Sequence, residues 1–306
     1  MEKVLPGVGR SSIAFFTAHW KDLAKVSFLP FCFLLVLDLL QSWIFEDMMV
    51  ASLAARFSSD QHFKTMVGPM LLHAIWAMLL FTPVALILSS WHFVRVSRYW
   101  KYGSVSLLGI GPGEKGAIWA AFLKLVGLLL LGFGLMMGGG IALALLTFAL
   151  KAFLGFGIIS VALPIIILLV GAFALLTFKL RYMVGFPALA WGRQQSLFAD
   201  MWPLARHEPF AMVWRIIVIF IGFMAASFAV QRALAAPFVL ANMDQFLDPS
   251  SGHLNEGAVQ RVALELLPWV LVSLVIGAVF VTFMSILFSE ACGRLMKEPH
   301  FGSPSM

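Results

Sequence analysis

The chain has 306 residues, of which 61% are hydrophobic and only 12% are charged. Soluble globular domains carry about a quarter charged residues, so this composition excludes an ordinary soluble domain. A formal net charge of +6 would be compatible with nucleic-acid binding. The basic residues, however, stand at the ends of apolar runs, where Lys and Arg set membrane topology and attract anionic headgroups. We therefore expect membrane lipids as partners and no nucleic acid.

The apolar runs have the length of membrane-spanning helices, which need roughly 20 residues each to cross the hydrocarbon core. The alternating polarity that a membrane strand requires is absent from these runs. The two cysteines, Cys32 and Cys292, form neither a disulfide framework nor a metal-type spacing. The sequence therefore predicts an all-α integral membrane protein with six transmembrane helices.

From the amino terminus, the first predicted element is an interfacial amphipathic helix over residues 10–25, whose apolar side chains share one face. The six spans are then predicted at about 26–45, 67–93, 118–138, 157–178, 212–229 and 264–288. Residues 46–66 are predicted to form a loop, and 179–211 a basic cytoplasmic linker. Pro164 is expected to kink the fourth span.

The third apolar run, from 117 to 150, is too long for one straight crossing. At 1.5 Å per residue it would extend about 51 Å, against a hydrocarbon core of about 30 Å. Glycine weakens a helix by up to about 1 kcal/mol relative to alanine. Gly138, Gly139 and Gly140 therefore predict a break, followed by a short outer helix at 141–153.

The distribution of basic residues decides the orientation. With the amino terminus inside, most of the 21 Lys and Arg residues fall on the inner side, as the positive-inside rule requires. We therefore expect a multi-pass protein of a bacterial-type plasma membrane with both termini in the cytoplasm.

A weak internal repeat is also visible. Trp20, Trp119 and Trp214 each stand within five residues of a Lys or Arg at the inner entry of an odd-numbered span. This regular spacing favours three tandem helical hairpins. The alternative is that every such span needs an interfacial aromatic and a snorkelling cation.

Polar residues within or near the spans suggest one candidate pocket. An ionisable group inside a span usually faces protein or water, and Asp38, with Gln41 one turn away, lies in the outer half of the first span. His73 lies at a similar depth in the second span, and Glu265 begins the sixth. Together they could bind a cation or relay a proton; alternatively, Asp38 bonds locally to Gln41 while the others reach headgroup water.

Small residues in the third span offer a candidate packing site or hinge. Gly134 and Gly138 form a small-xxx-small pair, followed by Gly139 and Gly140, and such pairs allow close helix packing. No motif for a catalytic site, a metal or a cofactor is apparent. The G-x-G-x-x-G match at 111–116 follows a helix instead of a strand, so it predicts a loop.

Arg181, Pro187 and Ala188, followed by the basic segment ending in RHEPFAMVWR, resemble the six-span membrane domain of some bacterial glycerophosphodiester phosphodiesterases and of related YciC-like proteins. The resemblance implies a Pro-containing segment and a short cytoplasmic helix after the fourth span. The catalytic barrel of those enzymes has no counterpart in this chain, so the resemblance transfers no catalytic residue.

These observations favour a non-enzymatic membrane protein that acts as a scaffold, a partner subunit or a lipid-handling accessory. Four arginines of the inner surface would contact anionic headgroups or an acidic partner: Arg181, Arg193, Arg206 and Arg215. A homo-oligomer fits the same description. The alternatives are a small transporter or channel that uses the pocket around Asp38, and an intramembrane enzyme acting on lipid-linked substrates.

Overall fold

The computed structural model describes most of the chain and consists of long helices. The described residues are 7–57, 60–105, 110–111, 113–154, 158–192, 218–219, 221–225, 229, 256–297 and 300–301. The helices are α1 (Val8–Phe57), α2 (Asp60–Tyr102), α3 (Glu114–Leu154), α4 (Ile158–Val184), α5 (Phe186–Ala190) and α6 (Glu256–Met296). Residues 218–219 and 221–225 are also helical. No strand occurs in these ranges, which confirms the all-α prediction.

Three helices are long and apolar enough to cross a membrane within the described part of the chain. They are Leu79–Tyr102 in α2, Glu114–Ala149 in α3 and Leu274–Met296 in α6. A shorter apolar helix, Leu163–Leu175, lies within α4. The chain is therefore a membrane-embedded helical protein. Most of the predicted fifth span, 212–229, lies outside the described residues, so the number six stays a prediction.

The loop predicted at 46–66 is wrong, because α1 continues to Phe57 and α2 begins at Asp60. Residues 46–57 carry acids, but they also contain Met, Ala, Leu and Arg, which favour helix, and neither Gly nor Pro. Polar residues mark where the apolar run ends. They do not end the helix, which continues to Phe57.

The break predicted at the three glycines is also wrong, because α3 is continuous from Glu114 to Leu154. In lipid, each unsatisfied backbone group costs several kcal/mol, which exceeds the cost of about 1 kcal/mol for a helical glycine. Gly138, Gly139 and Gly140 therefore remain helical.

A change of direction occurs instead within α1, at His19, whose dihedrals are not helical (φ −117°, ψ 16°). The His19 ring packs against Phe15, Phe301 and Tyr99, at centroid distances of 4.7, 4.9 and 6.2 Å. The boundary between interfacial helix and first span near residue 25 stays a prediction. Aromatic packing offsets the cost of the departure from helical geometry.

One end of the bundle holds the buried core, and we call it the packed end. It contains the start of α1, the end of α2, the start of α3, α5 and the end of α6. A polar contact ties the two chain ends together there: Arg294 Nε donates to Glu290 Oε1 and its Nη2 to Ser11 Oγ, both at 2.8 Å. Because Glu290 is buried, this pairing satisfies a charge that would otherwise be costly.

The part of the resembling segment that the structure describes, up to Gly192, folds into the packed end. After Gly185, every residue of α5 is buried, including Pro187 and Ala188. Trp191 follows and stacks on Trp100 at 5.3 Å. Its Nε1 donates to the Ser97 carbonyl at 3.0 Å. The Pro-containing turn is therefore a core element that joins α4 to α2.

Candidate functional site

A groove of about 720 Å³ runs along the seam between α1 and α6. Its walls are almost entirely apolar, formed by Leu23, Phe28 and Phe31 of α1 with Leu274, Val275 and Val279 of α6. Phe28 and Val275 leave more than half of their surface exposed. The α6 wall belongs to a helix that is long and apolar enough to cross a membrane, so we place the groove at the protein–lipid boundary.

The floor of the groove is polar at one point. Ser27 of α1 and Thr282 of α6 line the groove, and both are buried. The Nε2 atom of His92, on α2, lies 3.0 Å from Ser27 Oγ and 3.1 Å from Thr282 Oγ1. The two hydroxyl oxygens are 3.3 Å apart. Three helices thus meet at one hydrogen-bonded cluster, which we call the polar floor.

The hydrogen positions at the polar floor follow from the available acceptors. Thr282 donates to the Ala278 carbonyl at 2.8 Å, so its oxygen accepts in the cluster. His92 Nδ1 is buried and has no hydrogen-bond partner among the described residues. Because Thr282 uses its own proton on Ala278, a hydrogen bond across the 3.1 Å between its oxygen and Nε2 requires the proton on Nε2, and we assign it there. The Ser27 hydroxyl can then donate to Thr282 Oγ1, at 3.3 Å, or to an acceptor atom of a ligand in the groove.

One end of the groove carries the chemistry of a membrane interface. Trp20 lines the groove and is 55% exposed, and the Lys21 ammonium lies 5.8 Å from its ring centroid. Lys25 pairs with Asp22 at 3.0 Å, and Tyr99 donates to the same carboxylate at 3.3 Å. The hydrogen bond and charge of Lys25 lower the pKa of Asp22. Tryptophan and lysine together are typical of the boundary between headgroups and hydrocarbon.

A second buried polar group supports the packed end. The side chain of Arg95 is fully buried and its guanidinium lies 5.6 Å from the Trp91 ring centroid. The carboxylate of Glu114, also buried, acts on it electrostatically and accepts a hydrogen bond from the Gly111 N–H at 2.8 Å. These contacts fix the start of α3 against α2.

The residues of the predicted Asp38 pocket are distributed over three helices. Asp38 and Gln41 lie on α1, His73 on α2 and Glu265 on α6. Their side chains lie outside the described part of the structure, so the pocket remains a prediction.

The other predicted site residues fall into two groups. Arg193, Arg206 and Arg215 lie outside the described residues, as does the side chain of Arg181. The four glycines lie exposed on α3, and a methyl group built on any of them would meet no atom of the described residues within 4 Å. These glycines are Gly134, Gly138, Gly139 and Gly140.

The polar floor was not among the predicted sites. Ser27 and Thr282 stand among apolar neighbours, and His92 follows Ser89 and Ser90 in the last part of α2. Their shared depth was a usable signal, because each lies within about three turns of the charged residues that end its apolar run. Their common orientation had no signal in the sequence.

Searches for similar proteins gave no match among protein-family models, curated proteins or solved structures. Within the described residues, no group of three or more His, Cys, Asp or Glu side chains could hold a metal ion. A function for this chain is therefore inferred from its own local geometry.

Proposed function

We propose that this chain is a multi-pass membrane protein that binds a membrane lipid along the α1–α6 groove and acts as a lipid-handling accessory or scaffold. The observation that supports the proposal is the groove itself, with about 720 Å³ of space and apolar walls. Six spans and a bacterial-type plasma membrane with cytoplasmic termini belong to the same proposal, as does the relationship to the phosphodiesterase membrane domain.

The groove suits an acyl chain better than a water-soluble ligand. Ligand sites for soluble molecules combine apolar walls with several polar groups that fix orientation. Here the lining hydroxyls are those of Thr17, Ser27 and Thr282, and no charged side chain is among the lining residues described. A hydrocarbon chain gains contact with Phe28 and Phe31 without losing hydrogen bonds to water.

The end of the groove at Trp20 favours a lipid with an anionic headgroup. The exposed Lys21 ammonium lies beside the groove, and a basic side chain near the membrane surface contributes about 1 kcal/mol toward anionic lipid. The Lys25 charge is largely balanced by Asp22, so Lys21 supplies the net positive charge. Arg193 and Arg206 extend this expectation to the cytoplasmic linker.

Photo-crosslinking tests the proposal. A phospholipid with a diazirine on its acyl chain is incorporated into nanodiscs with the protein, irradiated, and the attachment sites are mapped by peptide mass spectrometry. We expect labelling of groove residues on both α1 and α6. Ala24→Trp should reduce it several-fold, because Ala24 is exposed and lines the groove, so the indole would occupy the site.

Ala142→Trp is the matched control, since Ala142 is an exposed alanine of α3 and does not line the groove. It should leave labelling of α1 and α6 unchanged. Equal labelling in wild type and Ala24→Trp would contradict lipid binding in the groove, as would labelling spread evenly over all exposed helices.

A further inference from the structure

We infer that the polar floor recognises the acyl ester of a glycerophospholipid, with the Ser27 hydroxyl donating a hydrogen bond to the ester carbonyl. This inference rests on the proposed lipid-binding function and specifies its ligand class. The phosphate would lie near Lys21 and the acyl chain would follow the apolar walls from Phe28 outward.

The spacing along α1 matches the thickness of the bilayer interface. Ser27 follows Lys21 by six residues, or about 9 Å at 1.5 Å per residue. The polar region on each side of a bilayer is roughly 5–8 Å thick, given about 40–45 Å in total and about 30 Å of hydrocarbon. With Lys21 at the phosphates, a spacing of about 9 Å places the Ser27 hydroxyl at the inner limit of this polar region, where the ester carbonyls border the hydrocarbon.

The hydrogen-bond inventory leaves Ser27 with a proton to donate. With the His92 proton on Nε2, the imidazole donates to the hydroxyl oxygens at 3.0 and 3.1 Å. Thr282 uses its own proton on the Ala278 carbonyl. Ser27 has only the 3.3 Å contact with Thr282 as an acceptor in the cluster. An ester carbonyl, which accepts and cannot donate, complements this arrangement.

An ordinary helix-to-helix hydrogen bond explains the cluster less completely. Serine and threonine commonly join helices in membranes, and His92 does so here. Such a role does not require Ser27 to line a groove or to retain a weakly bonded proton. Thr17 provides the contrast within the same groove, because its hydroxyl donates to the Ile13 carbonyl of its own helix at 2.9 Å.

The test compares two phospholipids that have the same anionic headgroup and chain length but carry either ester or ether linkages. Competition against the diazirine lipid in nanodiscs measures the relative affinity of each for the full-length protein. We expect the ester lipid to compete about two- to tenfold better, the range for one hydrogen bond between neutral groups. Ser27→Ala should remove the preference while leaving the affinity for the ether lipid unchanged.

Thr17→Val is the control variant and should retain the ester preference, because the hydroxyl it removes is already committed to its own helix. A second measurement does not depend on any variant: with a lipid labelled with ¹³C at the ester carbonyl, the infrared carbonyl band of the bound lipid should shift to lower frequency in the wild-type protein.

The outcomes separate this inference from the proposed function. Equal competition by ester and ether lipids, with labelling still sensitive to Ala24→Trp, would overturn ester recognition and leave groove binding intact. An ester preference that survives Ser27→Ala, or a carbonyl band that does not shift, would also overturn it. Labelling that is insensitive to Ala24→Trp would overturn the proposed function itself.

Discussion

Gly103 lies at the end of α2 in a position where two separate costs of a side chain can be measured. Its φ is +70°, and a methyl group built on it would lie 2.6 Å from Phe301 Cδ2. The left-handed conformation costs an L-residue about 1–2 kcal/mol. Relief of the overlap requires Phe301 to move, and its ring packs on Tyr99 at 5.3 Å and on Phe15 at 5.7 Å.

We predict that Gly103→Ala lowers the free energy of unfolding by about 2–5 kcal/mol. Backbone strain supplies about 1–2 kcal/mol, and each lost aromatic contact adds about 0.5–1.5 kcal/mol. Gly192→Ala isolates the first contribution, because Gly192 has φ +82° and a methyl group there would meet no described atom within 4 Å. It should cost about 1–2 kcal/mol. Reversible unfolding in mixed micelles measures both values.

A double-mutant cycle with Phe301→Ala then tests whether the added methyl group overlaps the Phe301 ring. Phe301→Ala alone removes the aromatic contacts, but in that background Gly103→Ala should cost only about as much as Gly192→Ala, that is about 1–2 kcal/mol. Equal losses for Gly103→Ala and Gly192→Ala in the wild-type background would show that the Phe301 ring does not press on a side chain at position 103.

Three further predictions concern a buried contact, a surface carboxylate and the corrected glycine break. Ser11→Ala removes a 2.8 Å hydrogen bond to the buried Glu290 carboxylate and should cost about 1.5–3 kcal/mol of unfolding free energy in micelles; no loss would contradict the pairing. Lys25→Met should raise the pKa of Asp22 toward 3.8, as followed by carbon NMR. The stabilisation linked to this shift is present above the unfolded pKa and lost as pH falls through the lowered folded pKa, so an unchanged pKa would show that Lys25 is not its cause. Gly139→Ala should stabilise α3 by roughly 0.5–1 kcal/mol, whereas a hinge would give a loss.

The fold class can be predicted from the sequence because the composition and the length of the apolar runs depend directly on whether a segment lies in lipid or in water. An apolar run in α6, for example, identifies a membrane-crossing helix without knowledge of its neighbours. Helix ends are harder, since Glu46 and Asp47 end an apolar run while the hydrogen-bonded helix continues to Phe57. Polarity reports where water begins, whereas helix termination requires a break in the backbone ladder.

The groove and its polar floor could not be predicted because they depend on the rotation of each helix. The membrane helices are apolar nearly all round, so periodicity does not indicate which face meets a neighbour. Ser27 and Thr282 are 255 residues apart and meet because α1 packs against α6, and His92, on a third helix, approaches both. The depth of each residue in the membrane follows from its own stretch of sequence. The contact between Ser27, His92 and Thr282, by contrast, arises from the packing of three helices.

The polar floor both joins three helices and faces the groove, so its effect on stability has to be separated from its effect on binding. Hydrogen bonds between membrane helices average only about 0.6 kcal/mol and reach about 2 kcal/mol. The packed end, by contrast, buries large side chains such as Trp100 and Phe288, each contributing several kcal/mol if removed. Loss of the Ser27 hydroxyl should therefore leave the bundle folded. A change in lipid selectivity in Ser27→Ala would then report on recognition instead of unfolding.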